Sequence, residues 1–248
     1  MKRITGIVLF TLLMFALSCG TTGKMKSTNN RAINSAIRAH GGKAYQTAAF
    51  SFDFRKRKYT FRNTEGQFEY SSKWRKDGKQ YHDVLTNEGF VRHINGEKQE
   101  LSQEDAVRFG NSLNSVIYFA QLPNKLDDPA VIKADKGVLR IKENTYQAVE
   151  VRFSEKDGGT DHDDVFYYWI NQKTHRVDYL AYLFHVDKGG VRFRSAYNTR
   201  KVGGILFQDY INYKASKGTP LEDLPRLYEA GMLVELSKIE LENIQLIK

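Results

Sequence analysis

The chain has 248 residues, 41% of them apolar, a single cysteine and a formal charge of +9 at neutral pH. That apolar share suffices for one well-buried core, and a lone cysteine excludes any intrachain disulfide, so burial must hold the fold unaided. The surplus of 38 Lys and Arg over 29 Asp and Glu favours acidic partners.

Met1-Lys2-Arg3 opens the chain, residues 4–17 are mostly apolar, and Ser18-Cys19-Gly20 follows. This basic, apolar and small-residue order is that of a secretory signal, so residues 1–18 are expected to be removed on export. The apolar run falls short of the roughly 20 residues that a spanning helix needs, and no later run is longer, so no integral membrane segment is expected. Ala16-Leu17-Ser18 also suits an ordinary signal peptidase. Cys19 separates the two routes, because an odd exposed thiol in an oxidising compartment needs an explanation and lipidation of Cys19 supplies one. Ala16 stands where lipoproteins usually have Leu, and Leu17 comes one place later. Several acyl chains on one cysteine, at about 0.8 kcal/mol per buried methylene, anchor a domain stably. Gly20 follows the cysteine and no acid appears through Asn30, which by resemblance to lipoprotein sorting predicts the outer membrane, facing the periplasm. After Cys19, residues 20–30 hold Gly, Thr, Ser, Lys and Asn with only Met25 apolar, so 19–30 has the make-up of a lipidated cysteine on a flexible tether.

Residues 31–248 are expected to form one domain. A short helix over residues 31–39 places Ile33, Ala36 and Ile37 at helical spacing and stops at Gly41-Gly42. From Phe50 the period drops to two. Strands are predicted over 58–62, 67–75, 80–85 and 90–94, punctuated by Glu65-Gly66, Asp77-Gly78 and Asn95-Gly96, which gives an antiparallel meander. Ser102 with Asp105 caps a long helix whose Ala106, Phe109, Leu113, Val116, Ile117 and Ala120 share one face before Pro123. Strands resume over 131–134, 138–141, 146–153, 165–170, 176–186, 190–198 and 205–213. A helical piece over 220–230, divided at Pro225, precedes a last, bent strand over 232–247. About eleven strands with two or three helices and no parallel βαβ rhythm imply a mainly antiparallel α+β fold. Residues 179–184 are apolar on both strand faces, so both faces need cover.

The chemistry-bearing residues are few. Arg55-Lys56-Arg57-Lys58 with Tyr59 and Phe61 has the make-up of a nucleic-acid patch, but an exported chain has no nucleic acid to meet. Anionic lipid headgroups or polysaccharides take its place, and a solvated strand face is the plainer reading. The segment 157–164 is rich in oxygen ligands suited to Ca²⁺, with Asp161, Asp163 and Asp164 the nearest to a set. Its order is not that of an EF-hand, so a solvated turn is the plainer reading there as well. His185 lies on an apolar strand with Asp187 two residues on, and Arg192, Arg194, Asp209 and Tyr210 lie on the next two strands. If these pair as hairpins, they supply groups for gripping an anionic head or for acid–base work, although alternation turns Asp209 and Tyr210 to opposite faces. A satisfied buried ion pair is the plainer alternative. His40, His82, His93 and His175 show no metal-ligand spacing, and no motif implies a cofactor.

Five strings resemble a family of exported proteins of Gram-negative bacteria that has no settled function. They are Arg38-Ala39-His40-Gly41-Gly42, Leu113-Asn114-Ser115-Val116-Ile117-Tyr118-Phe119, Phe166-Tyr167-Tyr168-Trp169-Ile170, Gly190-Val191-Arg192-Phe193-Arg194-Ser195-Ala196-Tyr197-Asn198 and Phe207-Gln208-Asp209-Tyr210. Some members carry the label deoxyribose-phosphate aldolase. Such an aldolase needs a buried lysine at the mouth of a parallel β/α barrel, which this element order does not build, so the label is not adopted as chemistry. More remotely, the element order resembles the curved half-barrels of LolA and LolB, which implies a concave sheet closed by helices around an apolar cavity for acyl chains. The leading expectation is therefore a non-enzymatic lipoprotein that binds a lipid or other amphiphile, its anionic head near Arg192 and Arg194. The alternatives are a hydrolase-type envelope enzyme at His185 and Asp209, and a ligand-free module that docks an envelope protein.

Overall fold

The computed structural model describes residues 30–154, 164–185 and 188–247. The expected signal peptide, Cys19 and nearly all of the tether lie outside the described residues, as do Asp161, Asp163 and Asp187. Helix α1 (Arg31–His40) begins where the Asn30 side chain accepts the N–H groups of Ala32 and Ile33, at 3.0 and 3.1 Å. It ends at Gly41, whose φ of 146° disfavours any side chain, and a 3₁₀ turn (Gly42–Thr47) leads into the first sheet.

The predicted meander is present as β1 (Ala49–Phe54), β2 (Arg57–Thr64), β3 (Gln67–Lys76), β4 (Lys79–Thr86), β5 (Gly89–Ile94) and the two-residue β6 (Glu97–Lys98). Helix α2 (Gln103–Ala120) starts on the expected cap, with Ser102 Oγ accepting the Asp105 N–H at 3.1 Å. Its Leu113, Ile117 and Ala120 pack on Phe50, Phe52, Phe61 and Tyr70.

The second sheet contains β7 (Val131–Ile141), β8 (Asn144–Phe153), β9 (Val165–Asn171), β10 (Val177–Phe184), β11 (Gly190–Val202), β12 (Ile205–Ala215) and β13 (Val234–Ile239). The two strands expected between 131 and 141 are one, its register shifted between Asp135 and Val138, where Gly137 takes positive φ. Helix α3 (Leu224–Glu229) follows a 3₁₀ turn (Leu221–Asp223), with Pro225 in its first turn, where a missing N–H is harmless. β14 (Glu242–Leu246) ends the order.

All strand pairs are antiparallel, in two seven-stranded sheets ordered β14-β1-β2-β3-β4-β5-β6 and β13-β12-β11-β10-β9-β8-β7. Of the four outermost strands, β6 does not pair with β7, nor β13 with β14, so the arrangement is open. There are fourteen strands among the described residues rather than about eleven, and the supposed bent strand over 232–247 is two strands in different sheets. The reason is local. Between β13 and β14 the backbone leaves one ladder for the other at Leu241, and a β11–β12 ion pair receives it there. Asp209, 2% exposed, accepts the Leu241 N–H at 2.9 Å, Arg200 Nη2 at 2.9 Å and Asn198 Nδ2 at 2.6 Å, while Arg200 also donates to the Leu241 carbonyl. The neighbouring β11–β12 turn approaches the first sheet so closely that a Cβ on Gly203 would stand 2.8 Å from Phe50 Cζ.

Both faces of the second sheet are covered. On the inner face Val149, Val151, Phe166, Tyr168 and Leu180 pack on Ile33 and Ala36 of α1 and on Leu122 and Leu126. On the outer face Tyr146, Tyr167, Trp169, Tyr179 and Phe193 pack under Leu221, Leu224 and Tyr228. The third helix, expected on the concave side, thus lies on the opposite face, and this explains why β9 and β10 read as apolar on both sides.

His40, at the end of α1, is 1% exposed and accepts the Val177 N–H through Nε2 at 3.3 Å. Burial, then nearby Arg176, pushes its pKa down to about 4 from an ordinary 6.5. The unfolded chain therefore binds this proton more readily. Stability from the neutral His40 is full above pH 6.5 and is lost as pH falls to about 4, on the order of 3 kcal/mol in all. His40→Gln is expected to flatten the pH dependence of the urea midpoint across that window; an unchanged slope would rule this source out. Asp209→Ala, which strands Arg200 and the Leu241 N–H, is expected to lower unfolding stability by about 3 kcal/mol in urea titrations. A loss below about 1 kcal/mol would mean that the sheets are joined without this pair.

Candidate anion-binding face

Alternation along β11 sends Val191 and Phe193 outward and Arg192 and Arg194 inward. The strand register then builds two inner rows. One runs Phe166, Tyr182, Arg192, Lys214, Val234 from β9 to β13, and the other runs Tyr168, Leu180, Arg194, Asn212, Ser237. Arg192 and Lys214 are thus directly opposed like charges, an arrangement that destabilises a sheet.

Arg194 is only 7% exposed. Its Nη2 donates to the Tyr182 hydroxyl at 2.9 Å, and its guanidinium lies 3.9 Å from the Phe119 ring of α2 and 5.2 Å from that of Tyr182. Its Nε is buried without an acceptor, and the Oδ1 of its register partner Asn212 is buried without a donor. Arg192 rests on Phe184 at 4.8 Å and donates to the Val191 carbonyl at 3.1 Å. Among the described residues none of Arg192, Arg194 and Lys214 is paired with a carboxylate. Rings carry the face onward: Phe119 lies 5.7 Å from Tyr182, Tyr182 lies 5.5 Å from Phe166, and Phe166 lies 5.7 Å from Phe153. Below them Tyr168 is pushed well above the ordinary phenol value by burial, and burial pushes Tyr210 up to about 12 against the opposing pull of Arg194, so both stay neutral. The arrangement can hold an anion with apolar substituents.

The structure brings Arg192, Arg194 and Tyr210 onto one face and leaves the other two candidates elsewhere. His185 stands at the exposed end of β10, its Nδ1 3.3 Å from Asp164 Oδ1. Asp209 points to the opposite face from Tyr210 and is engaged at the sheet junction. No convergence of His185 and Asp209 for acid–base work is present. Asp164 is the one described member of the suggested calcium set, and among the described residues no group of three or more His, Cys, Asp or Glu has metal-holding geometry. Tyr182, Phe184, Lys214 and Asn212 escaped the sequence reading. The first two were legible as same-side neighbours in the apolar strand, whereas Phe119 reaches the site only through the packing of α2.

The expected large apolar chamber is not seen among the described residues. Their best-formed cavities are open and partly polar: one of about 620 Å³ beside Arg31, Ser35, Asp135 and Gln147, and one of about 380 Å³ beside Arg62, Glu69 and Asn87. The space beneath the second sheet is filled by α1 and by Leu122 and Leu126.

Fold and site together define an open antiparallel β-sheet protein with a cationic, aromatic inner face that no carboxylate among the described residues neutralises. The chain belongs to a family of unknown function, DUF6503, whose model matches residues 6–241. Comparison with curated proteins found no match. Among solved structures, the chain is similar to a DUF1329 family protein from Desulfovibrio piger, at 11% identity over 87% of this chain and 91% of that one, with a TM-score of 0.46. A LolA superfamily protein from Nitrosomonas europaea matches at 12% identity over 88% and 92%, with a TM-score of 0.48. Lipoprotein LppX from Mycobacterium tuberculosis matches at 10% identity over 77% and 94%, with a TM-score of 0.30. No pair of described strands is parallel, so the described fold is not the barrel that the aldolase label requires.

A buried guanidinium such as that of Arg194, without a counter-charge among the described residues, carries a desolvation cost. Arg194→Met is therefore expected to leave thermal stability unchanged or to raise it by about 1 kcal/mol. A loss above about 2 kcal/mol would make Arg194 a structural residue.

Proposed function

We propose that this chain is an envelope lipoprotein, tethered through Cys19 at the periplasmic side of the outer membrane, that binds an amphiphile without transforming it. The anionic head lies on Arg192 and Lys214 with Arg194 behind them, and the apolar part lies along Phe119, Tyr182 and Phe184. The observation that carries the reading is Arg194, buried with an unpaired Nε and no carboxylate partner among the described residues. Natural proteins rarely leave a charge in that condition unless something arrives to share it. The filled inner face sets a limit. The apolar part rests on half-buried rings, and a deeper berth requires the C-terminal turn of α2 to move with Phe119. The absence of a convergent acid–base pair at His185 and Asp209 supports binding over catalysis.

A ligand-free docking module is the second reading. It is favoured by Met232, Val234 and Leu236, which are 66%, 54% and 43% exposed around β13. Native mass spectrometry of the chain extracted from the envelope separates the two. The expected spectrum carries an added mass that lipid extraction identifies as an anionic amphiphile, absent from the Arg192→Gln/Arg194→Met variant. A spectrum free of added mass, or an added mass that survives the double substitution, would sink the amphiphile reading.

A further inference from the structure

The outer face of the first sheet carries a different kind of array. Register places Lys58 of β2 opposite Lys73 of β3, Lys73 opposite His82 of β4, His82 opposite His93 of β5, and His93 opposite Lys98 of β6. Five basic side chains thus form one row across the sheet. Asp53 of β1 offers a carboxylate at one end of it, 3.3 Å from Lys58. Like charges set face to face weaken strand pairing. Burial, with Lys73 and His93 acting in the same direction, holds His82 below the ordinary imidazole value.

Beyond the row, at the same rim, the β1–β2 and β3–β4 hairpins add the exposed Arg55, Lys56, Arg75, Lys76 and Lys79 against Asp77. The inner side of this rim is aromatic. Trp74 and Tyr81 stack with centroids 4.9 Å apart, and Arg57 lies 4.0 Å from the Trp74 ring. Both rings are half-buried.

We propose that this hairpin rim is a docking surface for an anionic phospholipid bilayer, met edge-on, with the cations among the headgroups and the Trp74–Tyr81 stack at the headgroup boundary. A nucleic acid or glycan strand calls for rings and cations along one groove. Here the basic side chains of the row stand on one side of the sheet and the Trp74–Tyr81 stack on the other, where Arg92 is neutralised by Asp83 and Arg57 joins the stack at the rim that a plane would touch. Charge sign and amphipathic rings match the two layers of such a surface. The proposal uses other residues, on the other sheet, from the amphiphile reading, and it stands or falls separately.

The chain contains two tryptophans, and Trp169 is 1% exposed in the core, so Trp74 reports on the rim without any substitution of tryptophan. Full-length protein carrying Cys19→Ser, so that no acyl chain holds it to either vesicle type, is titrated with phosphatidylcholine vesicles and with vesicles that also contain phosphatidylglycerol, each with and without brominated acyl chains. Binding is expected to be at least about tenfold tighter to the anionic vesicles, to weaken with added salt, and to bring bromine quenching of Trp74. Replacing Lys56, Lys73, Arg75 and Lys76 by Ser should abolish the preference, and replacing Lys43, Lys173, Lys201 and Lys238 by Ser should preserve it. Equal binding to both vesicle types, anionic binding without quenching, a preference that survives the rim variant, or one lost equally in the control variant would each overturn the proposal.

Discussion

The molecule depends on what happens to two backbone groups at Leu241. A chain passing from the edge of one sheet to the edge of another must leave a ladder, and at that step its N–H and carbonyl have no strand partner. Asp209 takes the N–H and Arg200 takes the carbonyl, and the two are themselves an ion pair on adjacent strands. Because both come from the β11–β12 hairpin, the crossover is fixed to the longest pairing in the second sheet. The same hairpin brings Phe207 within 5.3 Å of Phe50, so the polar clasp and the apolar contact close the joint together. Without this joint there would be two sheets on a linker.

Given the joint, the inner side fills readily. α1 and the segment after α2 occupy the space under the second sheet, and α2 occupies the space under the first. The filling stops at β11 and β12, where rings give way to guanidinium and ammonium groups without carboxylates among the described residues. Packing and polarity pull apart here. The other buried Asp, Glu and Arg side chains among the described residues each meet an opposite charge: Asp83 with Arg92, Glu150 with Lys136 and Arg152, and Asp209 with Arg200. A place where charge pairing fails against that background is where function is expected.

Much of the fold was legible in the sequence because its signals are local. Two-residue alternation in Phe50, Phe52 and Phe54, the Ser102 cap and the Asp-Gly and Asn-Gly turns each act over a few residues, and all stand where the pattern put them. The partition of the final segment was not legible. Nothing in residues 232–247 announces that Leu241 changes sheets, since the signal lies some thirty to forty residues upstream in Arg200 and Asp209. The site was half legible for a related reason. Arg192 and Arg194 share a face by alternation alone, but register decided that Asp209 serves the backbone and that Lys214 stands opposite Arg192. The two-sided apolar character of β9 and β10 predicted cover on both faces without saying that α3 would supply the second.

Two open sheets also have four edge strands, β14 and β6 in one and β13 and β7 in the other, and two of these are blunted. β6 is a stub of two residues, Glu97 and Lys98, both charged and exposed. β7 is long, but its ladder is interrupted at Asp135 and Val138, with Lys133, Asp135 and Lys136 around the irregularity. Neither of these two edges offers a flat, uncharged run to the edge of a second molecule, and so the ready route to stacked, fibre-forming sheets is obstructed at them. Copies crowded together are therefore kept from pairing at β6 and β7, whereas β13, with Val234 and Leu236 exposed, is an edge left open to a partner.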